Sequence, residues 1–252
     1  MMVLTEKQAE ALQLFRLADH ESPSFSIEVT DLLDPGKIRG YLQQVKQLIG
    51  ANDEKTAASI LIKRYAFLPV IFLYSMTSWN LKLDISHENL VMESREKNGL
   101  WLPNFRFKKL IGERAGKNRD QWREEVIRTL FSEHVFPIVD CVAKEARISK
   151  LILWENIAIY VYWLYETIMP KETAVAKQAV KDFKFIIEEA SCEVFGGYHA
   201  NPLGRFYNEK IFMENKENMI RPRKTCCFSY LTDSGKRCGP CPLTCRNRKK
   251  EE

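Results

Sequence analysis

Apolar residues recur at helical spacing along most of the chain. They predict helices over residues 6–18, 34–49, 52–75, 119–137, 138–146, 154–165 and 171–190. Pro69 lies inside the third helix and predicts a kink, because proline has no amide hydrogen with which to continue the helix. The two most apolar runs, 65–76 and 151–169, are too short or too often interrupted by polar residues to span a bilayer. We therefore expect buried helices and no transmembrane segment.

Only one region shows the period of two that is typical of strands. Leu81, Leu83 and Ile85 alternate with polar residues, His87-Glu88-Asn89 forms a turn, and an apolar run returns over residues 90–94. Residues 100–107 predict a third strand. The predicted fold class is mostly α (α+β), with a helical body, one small antiparallel β-sheet and a cysteine-rich metal loop near the C-terminus.

Charge divides the chain into two parts. Residues 221–252 hold nine Lys or Arg and three Asp or Glu, a net charge of +6, whereas residues 1–220 carry −1. With 252 residues and 45% hydrophobic content, the chain can bury a large core. We predict a helical body over residues 1–220 and a basic metal-binding segment over residues 221–252.

The chemical signal lies in that basic segment. Cys226, Cys227, Cys238 and Cys241 form a CC-x10-C-x2-C pattern, called here the four-cysteine motif. Four thiolates are the usual ligands of zinc and of iron–sulfur clusters. Disulfides are disfavoured because the chain has an odd number of cysteines, seven, and is large enough to fold without them.

The residues between the cysteines predict a reversal of the chain. Residues 228–231 are apolar and strand-like, and residues 232–235 supply a turn that brings the two pairs together. Gly239 and Pro240 predict a tight loop inside the second pair. Adjacent cysteines in an extended strand point apart, so one zinc ion requires an unusual bend at the first pair, whereas a two-iron cluster does not. On spacing alone, zinc is nevertheless the commoner occupant and an iron–sulfur cluster the next.

The four-cysteine motif is followed by Pro242 and Leu243, and this ending resembles that of the FhuF-type ferric-siderophore reductases. The likeness holds at all four cysteines and covers about one tenth of the chain. Trp154-Glu155-Asn156 and Asn201-Pro202-Leu203-Gly204 are also similar to segments of that family. Cys245 is an additional thiol that departs from the pattern and can compete as an iron ligand.

The resemblance implies a [2Fe–2S] cluster with Cys226, Cys227, Cys238 and Cys241 as ligands, and it moves zinc to second place. It implies an oxidoreductase that passes one electron to Fe³⁺ in a hydroxamate or citrate–hydroxamate siderophore and releases Fe²⁺. Residues 1–220 would then contain the siderophore-binding region, and an unidentified electron donor would be the second partner. The start of the chain lacks the basic and apolar regions of a signal peptide, so we expect a cytoplasmic location.

Basic residues near the motif are candidates for the siderophore-binding face, because their charge attracts anionic chelates. Charge and nearness in sequence select Arg205, Arg221, Arg223, Lys224 and Arg237. The basic residues from 246 onward are expected to be a solvated terminus. We expect no nucleic-acid partner, because the basic residues are not interleaved with enough aromatic side chains to stack on bases.

Other chemical signals are poorly supported. The chain has no P-loop, no GxGxxG and no HExxH pattern. His20, His87, His134 and His199 share no ligand or triad spacing, and we expect each to be a surface or packed histidine. Cys141 and Cys192 lie in helical patterns and are expected to be small buried hydrophobic residues.

Glu155 lies within an apolar helix and should have a buried partner such as an arginine or the Asn156 amide. A satisfied structural group is the favoured interpretation of this carboxylate. Two other functions stay open for the chain: a non-enzymatic binding protein with a zinc knuckle, and an iron–sulfur redox sensor. The identity of the metal separates the first from the reductase, and turnover of a ferric chelate separates the second.

Overall fold

The computed structural model describes residues 1–18, 25–94, 101–213 and 217–245. Helices α1 to α9 are Glu6–Gln13, Pro35–Leu48, Glu54–Tyr65, Phe67–Trp79, Arg119–Arg128, Phe136–Glu145, Lys150–Trp163, Ala176–Lys184 and Pro242–Cys245. Strands β1 to β8 are Met2–Val3, Phe25–Glu28, Leu81–Leu83, Leu90–Ser94, Asn104–Phe107, Ile111–Arg114, Ile211–Met213 and Asn218–Ile220. The prediction of a mostly α (α+β) fold is confirmed.

The core is built around α3, α4 and α7. Every residue of α4 from Phe67 to Thr77 is buried, and α7 packs against both α3 and α4. Helices that are apolar on all sides are stable only when other elements surround them. The three helices therefore form the buried centre of the body.

The helix in which Pro69 predicted a kink is interrupted at Ala66. Helix α3 ends at Tyr65 and α4 begins at Phe67, with Ala66 between them. Pro69 has no amide hydrogen to donate to the carbonyl of Tyr65, four residues earlier. By length and composition, Glu54–Trp79 could cross a membrane, but 83% of its most apolar window is buried inside the protein. The lack of a transmembrane segment stays a prediction.

The prediction of one small sheet was wrong, because the strands belong to two separate three-stranded antiparallel sheets. Their strand orders are β1-β6-β3 and β2-β4-β5. Strand β3 therefore pairs with β6 and not across the His87–Asn89 turn with β4, and its Leu83 lies opposite Gly112. A Cβ atom on Gly112 would lie 2.8 Å from the Lys82 carbonyl oxygen, so the glycine permits this close pairing.

Several predicted boundaries also differ. Helix α1 ends at Gln13 because Arg16 adopts a left-handed φ of 71° and Leu17 bridges to Phe105. The helix predicted over residues 171–190 begins at Ala176 and ends in a wide π-type turn, Phe185–Glu189. Strands β7 and β8 form an antiparallel hairpin in a region where the sequence predicted no regular element.

Candidate metal centre

The residues that carry the four-cysteine motif lie against the α2–α3 junction. We call residues 221–245 the cysteine segment. The Asp233 amide donates to the Ile49 carbonyl oxygen at 3.1 Å, and the Asn52 amide donates to the Leu231 carbonyl oxygen at 3.2 Å. These two backbone bonds fix the middle of the cysteine segment to the body. The division of the chain at residue 220 into two domains stays a prediction.

The strand predicted over residues 228–231 was wrong. Phe228 has a left-handed φ of 59°, and Ser229–Leu231 forms a turn of 3-10 helix. The Phe228 amide donates to the Cys226 sulfur at 3.4 Å, and the buried Ser59 hydroxyl donates to the Cys227 carbonyl oxygen at 2.9 Å. These contacts turn the chain directly after the first cysteine pair. The bend lies after the pair, so the expectation that two adjacent cysteines disfavour a single zinc ion stays a prediction.

The structure brings thiols of the two cysteine pairs together. The thiols of Cys227 and Cys238 are hydrogen-bonded, and Cys226 is close enough to Cys227 and Cys241 for their charges to affect its pKa. Cys227 and Cys241 are buried, and the other two are half-buried. Among the described residues, no group of three or more Cys, His, Asp or Glu is arranged to hold a metal ion. The [2Fe–2S] cluster and its four ligands thus stay predictions.

Lys63 supplies a positive charge next to these thiols. Its Nζ atom donates to the Ser229 hydroxyl at 2.9 Å and lies 3.8 Å from the Cys227 sulfur. The hydrogen bond from the Cys238 thiol, together with the charges of Lys63 and Arg223, lowers the pKa of the Cys227 thiol despite its burial. The same bond raises the pKa of Cys238. The pair therefore favours a thiolate on Cys227.

Helix α7 holds the start of the cysteine segment through its buried polar residues. Glu155 accepts hydrogen bonds from the Lys224 amide at 2.6 Å, the Thr225 amide at 2.8 Å and the Thr225 hydroxyl. The Arg223 guanidinium lies 3.4 Å from the Glu155 carboxylate and donates to the Asn156 side-chain oxygen at 2.7 Å. We call Glu155, Asn156 and Arg223 the anchor network. The prediction of a buried partner for Glu155 is confirmed.

The anchor network continues into α3 and into the cysteine loop. The Asn156 amide group donates to the carbonyl and hydroxyl oxygens of Ser59 at 2.8 and 3.0 Å. The backbone amide of Arg223 donates to the Pro240 carbonyl oxygen at 3.0 Å, which ties the loop of the second cysteine pair to the residues before the first. The loop of the second cysteine pair, α3 and α7 are therefore joined by one set of hydrogen bonds through the anchor network.

The surroundings of the thiols fit an anionic group. The Nη1 atom of Arg223 is buried and has no hydrogen-bond partner among the described residues. A buried cationic donor without a partner is costly unless an acceptor or negative charge lies nearby. An oxidised [2Fe–2S] group with four thiolates carries a charge of about −2, and this arginine already interacts electrostatically with Cys226, Cys227 and Cys238. The four thiols and the positive charge of Arg223 suit such a cluster.

Cys245 lies close to the motif, as its position in the sequence suggested. It ends the short helix α9, is buried, and donates its amide hydrogen to the Cys241 carbonyl oxygen at 3.0 Å. Its role as a competing iron ligand stays a prediction.

The five basic residues selected from the sequence fall into two groups. Arg205, Lys224 and Arg237 are exposed, and the Lys224 ammonium donates to the Arg205 carbonyl oxygen at 2.6 Å. Arg221 and Arg223 are paired with Glu166 and Glu155 respectively, and the Arg223 side chain has no exposed area. Arg223 is therefore placed in the anchor network and not on an exposed face.

The other predicted residues lie outside the candidate centre. His199 is exposed, and His134 is buried, where its Nε2 atom is 2.6 Å from the Tyr65 hydroxyl and its ring stacks on His87. Cys141 and Cys192 are only partly buried, less than the sequence predicted. His20 and the residues from 246 onward lie outside the described residues.

Lys63 and Ser59 were missed by sequence reasoning. Lys63 is separated by 164 residues from the cysteine that it contacts, and nothing in its helical surroundings marks it as unusual. A local pattern cannot reveal such a pair. The fold of α3 against the cysteine segment creates it.

Comparison with known proteins gives a family match that lies within the helical body. A family model described as ferric iron reductase FhuF-like transporter matches residues 59–210. No curated protein matches the chain. The matched range contains Ser59, Lys63, Glu155 and Asn156, which contact the cysteine segment, and it ends before the four-cysteine motif.

Proposed function

Because the chain belongs to the FhuF-like ferric iron reductase family, we propose that it is a cytoplasmic ferric-siderophore reductase. In this proposal, Cys226, Cys227, Cys238 and Cys241 bind a [2Fe–2S] cluster. The substrate is Fe³⁺ in a hydroxamate or citrate–hydroxamate siderophore, and an unidentified donor supplies the electron. The product, Fe²⁺, is softer and less charged, so the oxygen ligands of the siderophore hold it less tightly.

One observation carries the proposal. The anchor network fixes the cysteine segment to α7, which lies inside the range matched by the family model. Two independent signals, the family match and the four-cysteine motif, therefore meet at one place in the fold. A flexible metal-binding tail would not need three buried residues to hold it against the body.

The residues around the motif have separable roles in this proposal. A bound [2Fe–2S] cluster supplies one electron at a time. Lys63 and Arg223 place positive charge beside the thiols, which favours added negative charge and so raises the reduction potential. The exposed Arg205, Lys224 and Arg237 supply a cationic surface that attracts anionic chelates.

A zinc-binding module is the second candidate. The approach of the two cysteine pairs supports it, because the Cys227 and Cys238 thiols are hydrogen-bonded and Cys226 lies near Cys227 and Cys241. Zinc has no redox chemistry, so such a protein would bind a partner without transferring an electron.

A single-turnover experiment tests the reductase. Reduced protein, freed of dithionite under anaerobic conditions, is mixed with a ferric trihydroxamate and a chelator that turns coloured on binding Fe²⁺. We expect the oxidised cluster spectrum to return, with about one Fe²⁺ captured per cluster because the transfer involves one electron. A protein that oxygen reoxidises but the chelate does not would be a sensor. A colourless zinc protein would support the binding module.

A further inference from the structure

A cavity of about 270 Å³ opens next to the loop of the second cysteine pair. Helix α7, the π-type turn Leu164–Ile168 that follows it, and strand β8 with the three residues after it supply most of its wall. Gly239 and Pro240, which lie between Cys238 and Cys241, complete the wall. The loop that carries Gly239 and Pro240 would therefore separate a molecule in this cavity from the sulfurs of Cys238 and Cys241.

The cavity wall combines aromatic and charged side chains. Tyr162, Trp163 and Phe206 supply the aromatic surface. The charged side chains that reach the wall are Lys210, Arg221 and Glu166, which are 39%, 13% and 18% exposed, and their net charge is +1. Such a wall suits a ligand with apolar parts and a negative charge.

Glu166 organises the cationic side of the cavity. It accepts hydrogen bonds from Arg221 at 2.6 Å and from the Tyr207 hydroxyl at 2.8 Å, and Lys210 lies 2.9 Å from it. Burial alone would raise the pKa of Glu166, but the hydrogen bonds from Lys210 and Tyr207 and the charge of Arg221 lower it. The carboxylate is therefore ionised and holds two cations at the wall.

Arg221 retains hydrogen-bonding capacity in this arrangement. Its guanidinium lies 3.9 Å from the centre of the Tyr207 ring, and its side chain is 13% exposed. Its Nε atom is buried and has no hydrogen-bond partner among the described residues. The guanidinium is thus not fully matched within the protein, and the exposed part of the side chain is available to a ligand in the cavity.

We propose that this cavity is the siderophore subsite, and that it takes a carboxylate-bearing arm of an anionic ferric hydroxamate, with Arg221 and Lys210 as its contacts. The proposal rests on the proposed function and deepens it. A cavity of 270 Å³ lies at the small end of ligand sites, so an arm enters while the iron centre stays at the mouth. The subsite selects negatively charged chelates over cationic ones.

Binding can be tested without electron transfer by replacing Fe³⁺ with Ga³⁺, which is not reduced. Calorimetric titration of the full-length protein would use two gallium complexes, one of an anionic citrate–dihydroxamate and one of desferrioxamine B, which is cationic. We expect the anionic complex to bind at least tenfold more tightly. Arg221→Gln and Lys210→Gln should each weaken its binding about tenfold, by removing a charge-assisted contact.

Arg39→Gln is the matched control. Arg39 also lies 2.6 Å from a carboxylate, that of Glu145, and its replacement by Gln changes the net charge by the same amount as each of the two cavity variants. It does not line the cavity, so we expect less than a twofold change in affinity. Glu166→Gln should strengthen binding of the anionic complex, because it removes the competing carboxylate. General disruption of the site would instead weaken binding in all three cavity variants.

Equal affinities for the anionic complex in the wild type, Arg221→Gln and Lys210→Gln would overturn the subsite. Weaker binding in Glu166→Gln would also overturn it. These outcomes are separate from failure of the proposed function. A protein that lacks a cluster but shows the expected gallium binding would refute the reductase and keep the subsite. If Arg221→Gln instead reduced the anionic ferric chelate with an unchanged KM, the reductase would stand and the subsite would be refuted.

Discussion

Asp182 and Glu155 are two of the buried carboxylates of the helical body, and they hold different parts of the molecule. The Asp182 side chain has no exposed area and receives a bidentate pair of hydrogen bonds from Arg119 at 2.7 and 2.6 Å. Thr77 and Gln178 donate to it at 3.0 and 2.9 Å. All these partners belong to the body. Glu155, which is 2% exposed, instead binds the residues that lead into the four-cysteine motif.

The difference shows that burial and pairing do not by themselves mark a functional carboxylate. Both sites obey the rule that a buried charge is paired and hydrogen-bonded. Each site also has an arginine with a buried guanidinium nitrogen that lacks a hydrogen-bond partner among the described residues, Arg223 Nη1 and Arg123 Nε. What distinguishes the Glu155 site is that Arg223 lies close enough to three cysteines to affect their pKa. Substitutions at the two sites would separate a network that stabilises the body from one that positions a metal centre.

Asp182→Asn should have the largest effect on stability. The change leaves Arg119 and Arg123 without their buried counter-charge, and breaking such a pair costs about 3–5 kcal/mol. Thermal and urea unfolding followed by circular dichroism would measure the loss. Iron bound per folded chain should not change. A loss below about 1 kcal/mol would show that the network contributes little to stability.

Glu155→Gln should act mainly on the cysteine segment. The cysteine segment can detach and carry Arg223 into water. The loss of unfolding free energy therefore cannot exceed the free energy with which the segment binds to the body. We expect less bound iron and faster alkylation of the motif cysteines in the metal-free protein, measured by mass spectrometry. The body should lose less stability than in Asp182→Asn. Equal body destabilisation in both variants, with the cysteines still protected, would remove the distinction between the two networks.

Lys63→Met should change the redox behaviour and leave metal content intact. Removing a positive charge close to the Cys227 sulfur disfavours the reduced state, and a partly screened charge at this range contributes on the order of 50 mV. Anaerobic redox titration would measure the lower midpoint potential. Lys55→Met is the control, because Lys55 is an exposed residue of the same helix. An equal shift in both variants would exclude a local effect of Lys63.

Glu166 should give the smallest effect, a dependence of stability on pH. Its pKa in the folded protein is below the ordinary value of 4.5, so its ionised form contributes stability above that pH. The contribution is lost as pH falls through the lower, folded pKa. The difference in unfolding free energy between the wild type and Glu166→Gln, measured in urea, should be constant above about pH 5.5 and shrink below pH 4.5. A difference that grows on acidification would contradict this sign.

The sequence predicted those features whose signals are local. Asp34 and Asp53 cap α2 and α3 through their side chains, so the starts of both helices were recognisable, as was the break near Pro69. The need of Glu155 for a partner also followed from its apolar surroundings. The cysteine spacing is also a local signal, but the metal site and ligands that it predicts stay a prediction.

Features created by contacts between distant residues could not be predicted. Strand β3 pairs with β6 and not with the adjacent β4, because Gly112 admits it at close range. The contact of Lys63 with Cys227 and the ion pair of Arg221 with Glu166 likewise depend on how the helices pack. The turn at Phe228 was missed because its apolar neighbours resemble a strand, whereas the hydrogen bond to Cys227 from Ser59 helps to hold a bend.

The most direct measurement is an anaerobic visible spectrum of the purified protein before and after dithionite, with iron, acid-labile sulfide and zinc analysis. We predict a brown protein that bleaches on reduction and contains about two iron and two sulfide per chain. A colourless protein with one zinc, which also fails to take up iron and sulfide under reducing conditions, would contradict the reductase.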